Sequence, residues 1–94
     1  MSPERAESIA IQALSFIASD PELLPRFLAI TGIEASQIRQ AAQEPGFLAG
    51  VLQFVLAHEP TLIALSEASG MEPQEITAAL KVLPFGEEKW DIQP

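Results

Sequence analysis

A spacing of 38 residues dominates this chain. It carries Leu14 onto Leu52, Phe16 onto Phe54, Leu24 onto Leu62, Gly32 onto Gly70, Glu34 onto Glu72 and Ile38 onto Ile76. Conservative pairs fill the same frame: Ala13 with Val51, Ile17 with Val55, Phe27 with Leu65, Ile33 with Met71. Identities are sparse, so their order carries the weight: an apolar helix, an acid–proline start, a glycine stop, then another amphipathic helix. The pattern predicts an all-α chain, a compact six-helix bundle made of two pseudo-repeated three-helix units over about 3–43 and 45–83. Residues 1–84 form a single domain on this expectation, and 85–94 an irregular C-terminal tail.

Prolines mark the helix starts. Ser2-Pro3, Asp20-Pro21, Glu44-Pro45, Glu59-Pro60 and Glu72-Pro73 each place proline where its missing N–H would lack a helical partner anyway. The serine or aspartate before it can accept from the first amides, and glutamate complements the positive end of the helix dipole. Starts are therefore expected near residues 3, 21, 45, 60 and 73, with a sixth near Ala35 after Glu34. No segment shows the alternation of a strand. Gly32 and Gly70, followed by Ile33 and Met71, predict Schellman-type helix ends. Pro25 predicts a kink, or a short turn at 21–24 before a helix from Pro25 to Thr31.

Helices one and four are apolar around most of their circumference. Ile9, Ala10, Ala13, Phe16 and Ile17 make one face of the first, which Ile11, Leu14 and Ala18 widen. In the fourth, Phe47, Leu48, Val51, Leu52, Val55 and Leu56 do the same beside Phe54. Such helices belong in the middle of a bundle. They are expected to pack on each other through Ala10, Ala13, Ala49 and Gly50, with the other four flanking them. Part of the wide apolar face could instead join two copies, and a monomer is expected ahead of a homodimer.

Composition excludes several function classes. There is no cysteine, hence no disulfide framework and no thiolate site. The N-terminal residues lack the basic and apolar regions of a secretory signal, and Ile9–Ala18 and Phe47–Ala57 are too short for a membrane span. Both features predict a cytoplasmic protein without membrane contact. Thirteen acids against five Lys and Arg give a net charge of -8, which repels phosphate backbones and favours a basic partner.

Catalysis lacks parts. His58 is the only histidine, and no tyrosine, nucleophile elbow or phosphate-cradling loop accompanies it. It precedes Glu59-Pro60, where a capping or solvated role is expected. Glu72/Glu75 and Glu87/Glu88 read as helix-start or solvated charge. No catalytic residue, cofactor site or metal site is expected. The segment from Phe27 to Ile38 has helix-turn-helix spacing, with Ser36, Gln37, Arg39, Gln40 and Gln43 on the second helix. The same spacing recurs at Gly70, Met71 and Ile76, so it describes any tight helical corner, and nucleic acid is not expected as a partner. In the tail, Phe85, Trp90 and Ile92 stand among acids. Packing back over the end of the bundle is expected, since aromatic burial is the larger gain.

The runs Gln12-Ala13-Leu14 with Phe16, Asp20-Pro21-Glu22, Arg26-Phe27-Leu28-Ala29, Thr31-Gly32 and Phe47-Leu48-Ala49 resemble the domain of unknown function 3572 family, small alphaproteobacterial proteins. The resemblance spans about Ala6 to Leu83. It implies a bacterial cytoplasmic setting and supplies no catalytic residues.

The residues together point to a non-enzymatic protein–protein interaction or regulatory module. Its expected partner is a protein that is basic or presents an amphipathic helix. Candidate contacts are Gln37, Arg39, Gln40 and Glu75 beyond the glycine corners, with Phe85 and Trp90 in the tail. A helix-turn-helix nucleic-acid binder is the alternative, and a small enzyme using His58 comes after it.

Overall fold

Ser2 and Pro3 set the first helix in place. The Ser2 hydroxyl accepts from the Arg5 amide at 3.1 Å, and Pro3 takes the first helical position. The computed structural model describes residues 1–86, and among these the chain is all helical with no strand. Its helices are α1 Pro3–Ser19, α2 Leu23–Thr31, α3 Ile38–Ala41, α4 Phe47–Leu56, α5 Glu59–Ser69 and α6 Pro73–Val82. A 3-10 turn over Ala35–Gln37 leads into α3. The expectations for Trp90 and Ile92 fall outside the described residues.

Starts at Pro3, Glu59 and Pro73 lie where the prolines put them, and the other three shift for local reasons. Asp20 Oδ1 accepts from the amides of Glu22 at 2.8 Å and Leu23 at 3.0 Å, so it caps the turn opened by Pro21. Pro25 then has no N–H to offer the Pro21 carbonyl. The ladder breaks there, and α2 begins at Leu23. Pro25 is the third residue of α2, so it moves the helix start instead of kinking the middle. α4 begins at Phe47, two residues beyond Pro45, after i→i−3 bonds from Gln43, Glu44 and Phe47.

The helix expected near Ala35 is only one turn long. At the corresponding start of α6, Glu75 Oε1 accepts from the Glu72 amide at 2.9 Å. Gln37 stands at the matching position, yet Glu34 starts its helix without a side-chain cap. Pro45 also disfavours helix at Glu44, whereas the counterpart of α3 runs on through Val82.

Both glycine corners are left-handed, with φ 76° at Gly32 and 79° at Gly70. Their amides reach Leu28 at 2.8 Å and Ser66 at 2.9 Å. The Schellman closure is replaced by a hydroxyl relay. Ile33 N–H donates to Thr31 Oγ1 at 3.3 Å, and the Thr31 hydroxyl donates to the Phe27 carbonyl at 2.8 Å. Met71 donates to Ser69 Oγ at 3.2 Å, and that hydroxyl donates to Leu65 at 2.7 Å. A hydroxyl thus gives the next amide an acceptor in place of the Leu28 or Ser66 carbonyl that a Schellman end would offer it.

α1, α4 and α6 pack mutually and hold the core. The buried stripe of α1 is Ala6, Ile9, Ala10, Ala13 and Ile17, whose three alanines let both partners come close. From α4 come Phe47, Val51, Leu52, Phe54 and Val55, and from α6 Ile76, Ala79 and Leu80. α1 and α4 are therefore in contact as expected, but α6 joins them centrally instead of flanking. Ile11 and Ala18 do not widen the buried face of α1: both are exposed. Gly50 gives no close approach either, since a Cβ built there meets nothing within 4 Å. The Cα radius of gyration is 12.6 Å, near the roughly 12 Å of a folded chain of this length. Among the described residues no single helix is long and apolar enough to cross a membrane.

Candidate functional site

Phe27 is the one buried residue of α2, and it joins that helix to α4. Its ring meets Phe47 and Phe54 edge-on, with centroids 6.1 and 5.3 Å apart and both pairs at 86°. α2 itself lies along α1. A groove of ≈ 440 Å³ opens between α2 and α4, lined by Arg26, Ile30 and Thr31 on one side. Gly50, Gln53, Phe54 and Ala57 line the other side. These four follow i, i+3, i+4, i+7 and so share one helical face.

Phe54 serves the core and the groove together. One contact is the buried Phe27 ring, and the other is the Arg26 guanidinium, whose central carbon lies 5.5 Å from the Phe54 centroid. Such a cation–π pair contributes about 0.5–1 kcal/mol at an exposed site. The single ion pair among the described residues joins Arg5 to Glu75, so Arg26 has no carboxylate partner among them. Ile30 is 64% exposed on the same rim. The groove therefore combines an apolar wall, an open floor at Gly50 and one positioned cation.

The predicted contact residues do not form one surface. Gln37 and Gln40 come together in a separate cleft of ≈ 390 Å³ with Ile33 and Glu44. Arg39 is exposed but is not among the residues lining that cleft. Glu75 is engaged by the Glu72 amide and by Arg5 Nη2 at 3.4 Å. Phe85 has φ 68°, and its ring lies beside Gly46. Trp90 is outside the described residues. Arg26, Ile30, Gly50 and Phe54 were not anticipated as a site. A signal did exist: the 38-residue frame pairs Arg26 with Ala64 and Gly50 with Gln12, departures in both charge and size.

Titratable groups are placed for structure. His58 flanks the start of α5, with Nδ1 2.8 Å from Oγ1 of buried Thr61. The Glu72 amide holds the Glu75 carboxyl below its ordinary value, against an opposing desolvation and with help from Arg5. Among the described residues no three His, Asp or Glu side chains converge as metal ligands would.

The chain matches the family described as protein of unknown function (DUF3572) over residues 3–86. No curated protein and no solved structure matches it.

Proposed function

The chain belongs to the DUF3572 family, whose function is unknown, and on that premise we propose that it is a non-enzymatic protein-binding or regulatory module. The observation that carries this reading is the α2–α4 groove, where apolar Ile30 and Phe54 stand beside a cation with no carboxylate partner among the described residues. A largely apolar groove with a few placed polar groups is the usual character of a binding site.

Two observations weigh against the other classes. The His58 ring is engaged by the hydroxyl of buried Thr61 at a helix start, which supports a structural role over proton transfer. Ser36, Gln37, Arg39 and Gln40 project from a 3-10 turn and a single α turn, too short to track a major groove.

The test is capture from a bacterial lysate on full-length protein, in parallel with Ile30→Asp and Ile63→Asp. Both isoleucines are exposed, but only Ile30 lines the groove. A stoichiometric protein held by wild type and Ile63→Asp and lost from Ile30→Asp supports the reading. Equal capture by all three removes the groove from it. A turnover abolished by His58→Ala replaces it with an enzyme.

A further inference from the structure

The α2–α4 groove has a counterpart in the same molecule. Shifted by 38 residues, Gly50, Gln53, Phe54 and Ala57 fall on Gln12, Ser15, Phe16 and Ser19. Ile30 and Thr31 likewise fall on Ala68 and Ser69. All of these line a cleft of ≈ 400 Å³ between α1 and α5. Two grooves are thus built on corresponding residues, and their differences isolate what is particular to one. Arg26 stands for Ala64, Ile30 for Ala68 and Gly50 for Gln12. The first adds a cation over an aromatic face, the second an exposed aliphatic wall, and the third clears the middle of the floor.

We infer that the α2–α4 groove seats an amphipathic helix of a partner protein, which lays aliphatic side chains over Gly50 and pairs a carboxylate with Arg26. The inference rests on the binding-module reading and names the partner's chemistry. A helix fits because the groove-lining face of α4 and its C-cap runs from Gly50 to Ala57, two turns or about 10 Å, the span of an i, i+3, i+7 anchor set. Without a side chain at Gly50, a third helix can approach at the close end of the usual interaxial range. A carboxylate fits because the Arg26 fork is already oriented by Phe54 and has no acid of its own among the described residues. The rest of the partner is basic, since this chain carries a net charge of -8.

The probe is a capped Ala/Lys helical peptide with leucines at i, i+3 and i+7 and glutamate at i+4, compared with its glutamine twin. Each is titrated to millimolar concentration into the full-length ¹⁵N-labelled chain and followed by amide shifts. The glutamate peptide is expected to shift Ile30, Gly50 and Gln53 and leave Gln12, Ser15 and Ala68 still. It binds about fivefold tighter than its twin, the scale of a partly exposed ion pair, and Arg26→Gln erases that preference. Gly50→Leu fills open space, preserves the far-UV spectrum and abolishes binding of both peptides. Equal affinities, no binding, or equal shifts in the α1–α5 cleft overturn the inference. Concentration-dependent shifts of Ile30 and Gly50 without peptide also overturn it, because a second copy then fills the groove. In all of these cases, loss of the lysate partner from Ile30→Asp leaves the broader reading intact, whereas capture indifferent to Ile30 removes that reading whatever the peptides do.

Discussion

Replacing Gly50 by alanine should stabilise this protein. Gly50 is the fourth residue of α4, inside the helix, where glycine is about 0.8–1.0 kcal/mol less favourable than alanine because more backbone freedom is lost on folding. Steric opposition is absent, since the added Cβ meets nothing within 4 Å. The full propensity difference is therefore available, about 1 kcal/mol. For a chain of this size that raises the melting temperature by about 4–8 °C. Far-UV circular dichroism melts at matched pH and concentration measure it, and a urea titration should show a higher midpoint with unchanged slope. The same methyl group enters the groove, so partner capture should weaken while stability rises. An unchanged or lower melting temperature refutes the reasoning, because it means that the floor at Gly50 is not open or that α4 needs a glycine to form. A stabilised variant with reduced capture instead marks Gly50 as a residue kept at the expense of stability.

Other perturbations test other parts of the molecule. Phe27→Ala removes a buried ring and both edge-on contacts, a loss of about 3–5 kcal/mol, and the urea midpoint should collapse. A value under 1 kcal/mol, a small fraction of the usual 5–15 kcal/mol total, would show that Phe27 is not what ties α2 to α4. Gly86→Ala forces a Cβ into the Leu80 carbonyl oxygen, so it should lower the melting temperature, unlike Gly50→Ala. Glu75, whose folded pKa is depressed, contributes stability that is complete above the usual carboxylate range and is lost as pH falls through the lowered value. Urea midpoints taken downward from about pH 5 should fall less steeply for Glu75→Gln than for wild type, and parallel slopes would exclude this role.

Local chemistry was legible in the sequence, and the placement of helices was less so. Ser2-Pro3 and Glu72-Pro73 mark true starts because capping depends on residues within one turn. Pro25 is harder, because its effect depends on whether Asp20 or Glu22 begins the ladder whose bond it deletes. Thr31 and Ser69 are 38 residues apart, and the relay they share was visible only as a pair of unremarked hydroxyls. The inner side of α4 was not decidable from a helix that is apolar nearly all round, so Gly50 looked like a packing residue. Ile11 was misplaced for the same reason. Gln37, Arg39 and Gln40 were grouped with Glu75 on the premise that both glycine corners lead into full helices, and α3 is a single turn. The groove requires two helices held apart by rings beneath them, and no periodicity reports a gap. Only the exchange of Ala64 for Arg26 and of Gln12 for Gly50 hinted at it.

The seating of α1 between α4 and α6 has a consequence for synthesis on the ribosome. α1 is covered in part by α6, which is made later, and Pro73 follows Ser19 by about 50 residues, several seconds at common elongation rates. Throughout that interval the contacts that α6 gives α1 are missing, and before residue 47 is made only α2 of the main helical partners of α1 is present. A nascent chain stalled short of α6 therefore presents an apolar helical stripe, the kind of surface that chaperones and aggregation compete for. Premature termination near residue 72 should accordingly leave an insoluble or degraded product instead of a smaller folded one, because the strip of alanines that brings two helices close leaves a wide opening when one of them is missing.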